Sequence, residues 1–171
     1  MSVSELPEGE KVFVDANIYL FNALDDPRYG ESSTQFLEKI ERGEVKAVTN
    51  VLVLNEVAFK ILMAELSNYS EKFNIWIAKK LLKLKSKEIA DSAYKPVKKY
   101  LAYLKGLEWL EIIEITPRIA LTSVEFGQKY GLLPSDSFHL ATMKEPEMRF
   151  IVTDDADFKR VDWATVLELE E

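Results

Sequence analysis

Six acidic residues stand where a carboxylate can do chemistry. Asp15 ends the apolar run Lys11 to Asp15 (KVFVD), and Asp154, Asp155 and Asp157 follow the apolar run Phe150 to Thr153. Asp136 stands at the opening of a segment entered through Pro134. Glu56 interrupts VLVLNEVAFKIL, which is apolar around most of a helical circumference. Each has an ordinary alternative: an Asp after a strand caps the next helix, an Asp in a first turn complements the macrodipole, and TDDADF has the composition of a turn. Glu56 resists such a reading, because a carboxylate near a core is costly without a cation or hydrogen-bond donors, and Lys60 at i+4 is its only evident local partner. Taken together, the acids suit a hard divalent cation such as Mg²⁺ or Mn²⁺, which takes oxygen ligands and keeps several waters. Converging carboxylates also require a cation, since without one they repel and some protonate. The natural chemistry of such a centre is phosphoryl transfer or phosphodiester hydrolysis.

Distant acids meet only if the elements carrying them are arranged to bring them together. Lys11 to Asp15 reads as a buried parallel strand, Gly30 to Arg42 as a helix stopped by Gly43, and Val45 to Thr49 as a second strand. Asn50 then caps a helix through Leu66, whose apolar positions recur at steps of three and four. Residues 70 to 105 read as two helices broken near Ser92 to Pro96. Glu111 to Ile115 reads as a third strand, Arg118 to Tyr130 as a helix stopped by Gly131, and Ser135 to Met143 as another helix. Phe150 to Thr153 and Thr165 to Leu169 complete about five strands. This alternation specifies a three-layer α/β/α fold around a mainly parallel sheet with right-handed crossovers, in one domain spanning 1–171. In such a sheet ligands bind outside the carboxyl ends of the strands, where Asp15 and the Asp154 to Asp157 cluster fall.

Composition narrows the chemistry. There is no cysteine, which excludes thiol catalysis and Cys-ligated metal, and the single histidine, His139, argues against a Ser-His triad. No apolar run approaches a membrane span, and the acidic start MSVSELPEGEK lacks the basic and apolar regions of a secretion signal, so the cytoplasm is the expected location. The net charge of −7 conceals an asymmetry. Lys72 to Lys105 holds ten lysines against Glu88 and Asp91, a local net of +8 that leaves −15 elsewhere. Lys79, Lys83 and Lys87 recur at i, i+4, and Lys95, Lys98 and Lys99 form a second group. These stripes suit phosphate contact, though a solvated helix face has the same pattern.

The acidic segments resemble the motifs of the PIN-domain ribonuclease family, including the VapC toxins. FVDANIYLF resembles the first motif, with Asp15 as its acid and Asn17 two residues on. NEVAF resembles the second, with Glu56, PSDSFHLATM the third, with Asp136, and IVTDDADF the fourth, with Asp155 two residues after Thr153. The four stand in order over nearly the whole chain. The resemblance implies a PIN-like fold and a metal-dependent endoribonuclease in which Asp15, Glu56, Asp136 and Asp155 hold Mg²⁺ or Mn²⁺. It assigns orienting or auxiliary roles to Asn17, Thr153, Asp154 and Asp157. It implies RNA as substrate, an antitoxin protein as a possible partner, and a homodimer. The family's His at the place of His139 implies packing or hydrogen bonding, not ligation. Trp76, Trp109 and Trp163 are expected to pack. The chain is longer than the compact toxin pattern, with the excess in a lysine-rich helical elaboration at 68–105, so a stand-alone RNA-processing or ribosome-associated nuclease stays open beside a toxin. A non-catalytic PIN-like binding module is opposed by the four intact acids. A haloacid-dehalogenase-like phosphatase would need an acid where Asn17 stands, and a receiver domain a lysine missing from IVTDDADF.

Overall fold

The computed structural model describes residues 1–84 and 86–170. Five strands form one parallel sheet: Lys11–Val14 (β1), Lys46–Asn50 (β2), Leu110–Ile113 (β3), Phe150–Val152 (β4) and Thr165–Leu167 (β5), in the order β3-β2-β1-β4-β5. The chain therefore builds outward from β1 on one side through β2 and β3 and on the other through β4 and β5. The switch in strand order lies beside β1, between it and β4. Val12, Phe13 and Val14 in succession are completely buried, so both faces of the central strand are covered, as an all-parallel sheet requires.

The covering helices among the described residues are Ala16–Ala23 (α1), Gly30–Glu41 (α2), Val51–Ser67 (α3), Ile75–Leu84 (α4), Ser86–Gly106 (α5), Pro117–Tyr130 (α6) and Pro134–Lys144 (α7). α1, α3 and α5 pack together with α2 and α4, whereas α6 packs on α7. Local chemistry sets the boundaries. Asn50 caps α3 by accepting from the Val53 N–H at 2.9 Å, and Thr116 caps α6 ahead of Pro117. Gly131 ends α6 at φ 66°, a left-handed conformation that costs glycine little. Gly43 is similarly constrained, at φ 74°, and a β-carbon there would stand 2.7 Å from the Trp109 indole.

Three expectations change. The first helix, α1, directly follows β1 and lay hidden within an apolar run. The expected break at Ser92 to Pro96 is absent: α5 runs through it from Ser86 to Gly106, with Pro96 inside. Buried Ala93, Val97 and Leu104 anchor α5 on both sides of the proline, and that packing outweighs the lost backbone hydrogen bond. Lys79 and Lys83 lie on α4 and Lys87 near the start of α5. Lys85 lies outside the described residues. Finally, Trp76 is 74% exposed and does not pack in the core.

Candidate active site

The carboxyl ends of β1, β2 and β4 are adjacent, and each delivers polar groups to the same crevice. Asp15 follows β1 and caps α1: Oδ1 accepts from the Ala16 N–H at 2.6 Å and Oδ2 from the Thr153 hydroxyl at 2.6 Å. Capping and site membership are thus not alternatives for this residue. Thr153, buried just beyond β4, is the hub. Its oxygen also accepts from Asn17 Nδ2 and from the Asp155 N–H, each at 3.0 Å. Thr153 thus ties Asn17, Asp15 and the Asp155 backbone together. Asn17 Oδ1 is buried without a partner.

Glu56 reaches the crevice from α3 and is half-buried. Its partners are the Ser135 hydroxyl, which donates to Oε1, and His139, whose Nε2 stands 3.6 Å from Oε2. The local partner Lys60 is exposed to solvent. His139 is 1% exposed, packs its ring at 5.4 Å from that of Phe13, and places Nε2 3.7 Å from Asp15 Oδ1. One ligand atom from each of Asp15, Glu56 and His139 lies within 4.8 Å of the others, a spacing that can share one ion.

Asp136 and Asp155 join this group through their fields. Burial pushes the Asp136 carboxyl up to about 6, Asp155 adds to the rise, His139 opposes it, and Asp15 and Glu56 add further. Burial also raises Asp15 above the ordinary carboxylate value, against the lowering by His139, Thr153 and the Ala16 N–H. Burial disfavours the His139 cation, but Glu56, Asp15 and Asp136 together outweigh it and shift the ring upward. Carboxylates held from full ionisation by burial and by one another are what a cation would relieve.

The acidic triplet after β4 separates by environment. Asp155 faces Asp136, and its Oδ1 accepts from the Asp157 N–H at 2.8 Å. Asp154 is exposed and its field falls on Lys159. Asp157 is engaged by the Arg160 guanidinium, which also donates to the Gly131 carbonyl at 3.1 Å. Ser135 and Asn50 were not singled out as site residues. Ser135 adjoins Asp136 in sequence, whereas nothing local marks Asn50 as more than a cap.

The acid order and the sheet now have a counterpart among known proteins: residues 12–164 match the PIN domain. The chain belongs to the PIN domain family. It is similar to Ribonuclease VapC2 of Methanocaldococcus jannaschii, 25% identical over 171 residues that cover 95% of this chain and 96% of the relative. Among solved structures, VapC20 of Mycobacterium tuberculosis, a sarcin-ricin loop-cleaving toxin, superposes with a TM-score of 0.61 at 11% identity, covering 90% of this chain and 96% of that one. VapBC2 of Rickettsia felis, bound to a DNA fragment from its promoter, gives a TM-score of 0.56 at 16% identity over 94% and 99% of the two chains. The expected α/β PIN fold is borne out, with every strand pairing parallel. No helix of the described residues is long and apolar enough to cross a membrane.

Proposed function

We propose that this PIN-domain protein is a divalent-metal-dependent endoribonuclease of the VapC type, the toxin of a toxin-antitoxin pair. The observation that carries the reading is the convergence of Asp15 and Glu56 beside His139 at the carboxyl ends of the central strands, within the field of Asp136 and Asp155. Asp15 and Asp136 would be the principal holders of Mg²⁺ or Mn²⁺, with Glu56 and Asp155 holding its waters. The donors fit such an ion, since carboxylate oxygens dominate and the orphaned Asn17 Oδ1 offers one more. When bound, the cation supplies charge neutralisation at the phosphodiester and makes a water nucleophilic near neutral pH. The chain's own contribution is orientation: Thr153 fixes Asp15 and the Asp155 backbone, and Ser135 fixes Glu56. In-line attack of water leaves a 5′-phosphate and a 3′-hydroxyl. A 2′,3′-cyclic phosphate product would overturn this chemistry.

RNA attraction is assigned to the lysines of α4 and α5, namely Lys79, Lys83, Lys87, Lys95, Lys98 and Lys99, all exposed. An antitoxin partner is supported by the likeness to a chain of a toxin-antitoxin complex from Klebsiella pneumoniae. A homodimer is supported by Leu121 and Val124 on α6 and by nearby Leu133 in sequence, which are 73%, 68% and 70% exposed. The test is cleavage of RNA by the purified chain with Mg²⁺ and its loss in EDTA. RNA left intact under both conditions, with Mg²⁺ bound, would make the chain a binding module instead.

A further inference from the structure

Asn50 ends β2, caps α3 and is completely buried. Its amide is held on three sides. Oδ1 accepts from the Val53 N–H at 2.9 Å, while Nδ2 stands 2.9 Å from Thr142 Oγ1 and 3.3 Å from His139 Nδ1. Thr142 donates its single hydroxyl proton to the Phe138 carbonyl at 2.8 Å, so toward Asn50 it only accepts. These neighbours fix which end of the amide is which. Turned over, the NH₂ group would face the Val53 N–H, donor against donor, and the cap would be lost.

The second Nδ2 hydrogen therefore points at His139 Nδ1, which must present a bare lone pair. A neutral imidazole bare at Nδ1 carries its proton on Nε2. Nε2 is the atom that faces Asp15 Oδ1 and Glu56 Oε2. We propose that Asn50 fixes His139 in the Nε2–H tautomer, so that His139 turns a bound proton, not a lone pair, toward the Asp15 and Glu56 carboxylates as a positioning residue and is not a ligand of the cation they hold.

Both ring nitrogens are then committed, Nδ1 to Asn50 and Nε2 to its own proton, and a metal needs a free lone pair. The ligand set becomes all oxygen, which favours Mg²⁺ and Mn²⁺ over ions that seek imidazole. The inference on ligation rests on the reading of Asp15 and Glu56 as metal holders, whereas the tautomer is measured without metal, so the two can fail separately.

The chain has one histidine, so two-bond proton–nitrogen correlation on ¹⁵N-labelled protein reads this ring alone. In metal-free protein, at a pH where the ring holds one proton, Nε2 should be the protonated nitrogen and Nδ1 the bare one. Asn50→Asp keeps an acceptor for the Val53 N–H but replaces the NH₂ donor with a second acceptor, so the proton should appear on Nδ1. Protonated Nδ1 in the wild type, or bare Nδ1 in a folded Asn50→Asp variant, would overturn the proposal. With saturating Mg²⁺ the wild-type Nε2 should keep its proton. Its loss would make His139 a ligand and overturn the second half. Should Asn50→Asp not fold, the two wild-type measurements decide alone.

Discussion

Thr153 serves three neighbours with one hydroxyl, donating to Asp15 and accepting from Asn17 and the Asp155 N–H. Thr153→Val keeps the shape and strands all three. Leaving a buried polar group unsatisfied costs roughly 1–3 kcal/mol, and loss of a partner to a metal-holding group typically costs about 10–100-fold in activity or metal affinity. Urea denaturation and Mg²⁺ titration of the variant check both, and an unchanged midpoint and affinity would remove Thr153 from the site. Asp136 predicts a pH effect of unusual sign. Its carboxyl is pushed up to about 6, so between its ordinary value of 3.8 and about 6 the native state binds a proton more tightly than the unfolded chain. The contribution of this group to metal-free stability therefore falls as pH rises through that window and is flat above it. Asp136→Asn should abolish cleavage yet stabilise the metal-free protein above pH 6 by about 0.5–2 kcal/mol. The stability gap between variant and wild type in EDTA should widen from pH 4 to 6; a gap independent of pH sinks the argument. The acids themselves were legible because each ends a strand, opens a helix or sits out of place on an apolar one. Ser135, Asn50 and the full role of His139 were not, because their contacts are with partners 79 or more residues away in sequence.

Strands and helices followed the same division between local and distant causes. β1 to β5 were readable from short β-branched runs, and α3, α6 and α7 from caps and prolines whose chemistry is local. α1 was missed because DANIYLFNAL is apolar on nearly every side, giving little periodicity; Ile18 and Tyr19 are buried, and Leu20 and Phe21 partly so. The misplaced break at Ser92 to Pro96 has a different origin. Proline disfavours a helix interior by about 3 kcal/mol relative to alanine, which is a sound local reason to stop there. Here tertiary burial of Ala93 and Val97 carries the helix through, leaving that local cost unrelieved. Pro96→Ala should then raise stability by about 2 kcal/mol, since the greater freedom alanine gives the unfolded chain takes back roughly 0.4–1 kcal/mol of the gain. A lower urea midpoint for Pro96→Ala would mean that α5 depends on the proline's own packing against its neighbours.

Over the whole molecule, charge is separated in a way that the proposed reaction explains. The site must be acidic to hold a cation, so the long-range attraction for RNA has to arise elsewhere, and Lys72 to Lys105 is the strongly basic stretch of an acidic chain. Its lysines are exposed at positions 79, 83, 87, 95, 98 and 99, and Lys79 stands 5.0 Å from the ring centre of Trp76, whose exposure sets a flat aromatic surface beside a cation. Such a pair can meet a base and its phosphate together. Two lysines elsewhere are differently placed: Lys11 pairs with Glu111 at 2.7 Å and Lys159 with Glu168 at 2.5 Å, so their fields are largely cancelled. Replacing Lys79, Lys83 and Lys87 by Gln should weaken single-stranded RNA binding across sequences, with the chemical step little changed. The slope of log affinity against log salt should fall by roughly 0.7 for each phosphate that the variant no longer neutralises. Lys11→Gln with Lys159→Gln removes charge from the paired sites and should leave the slope as it was. Trp76→Ala should lower affinity by about 1–3 kcal/mol if a base stacks there, with the slope unchanged because every phosphate keeps its lysine. Equal salt slopes for the triple variant and the wild type would show that RNA reaches the acidic crevice from another side of the molecule.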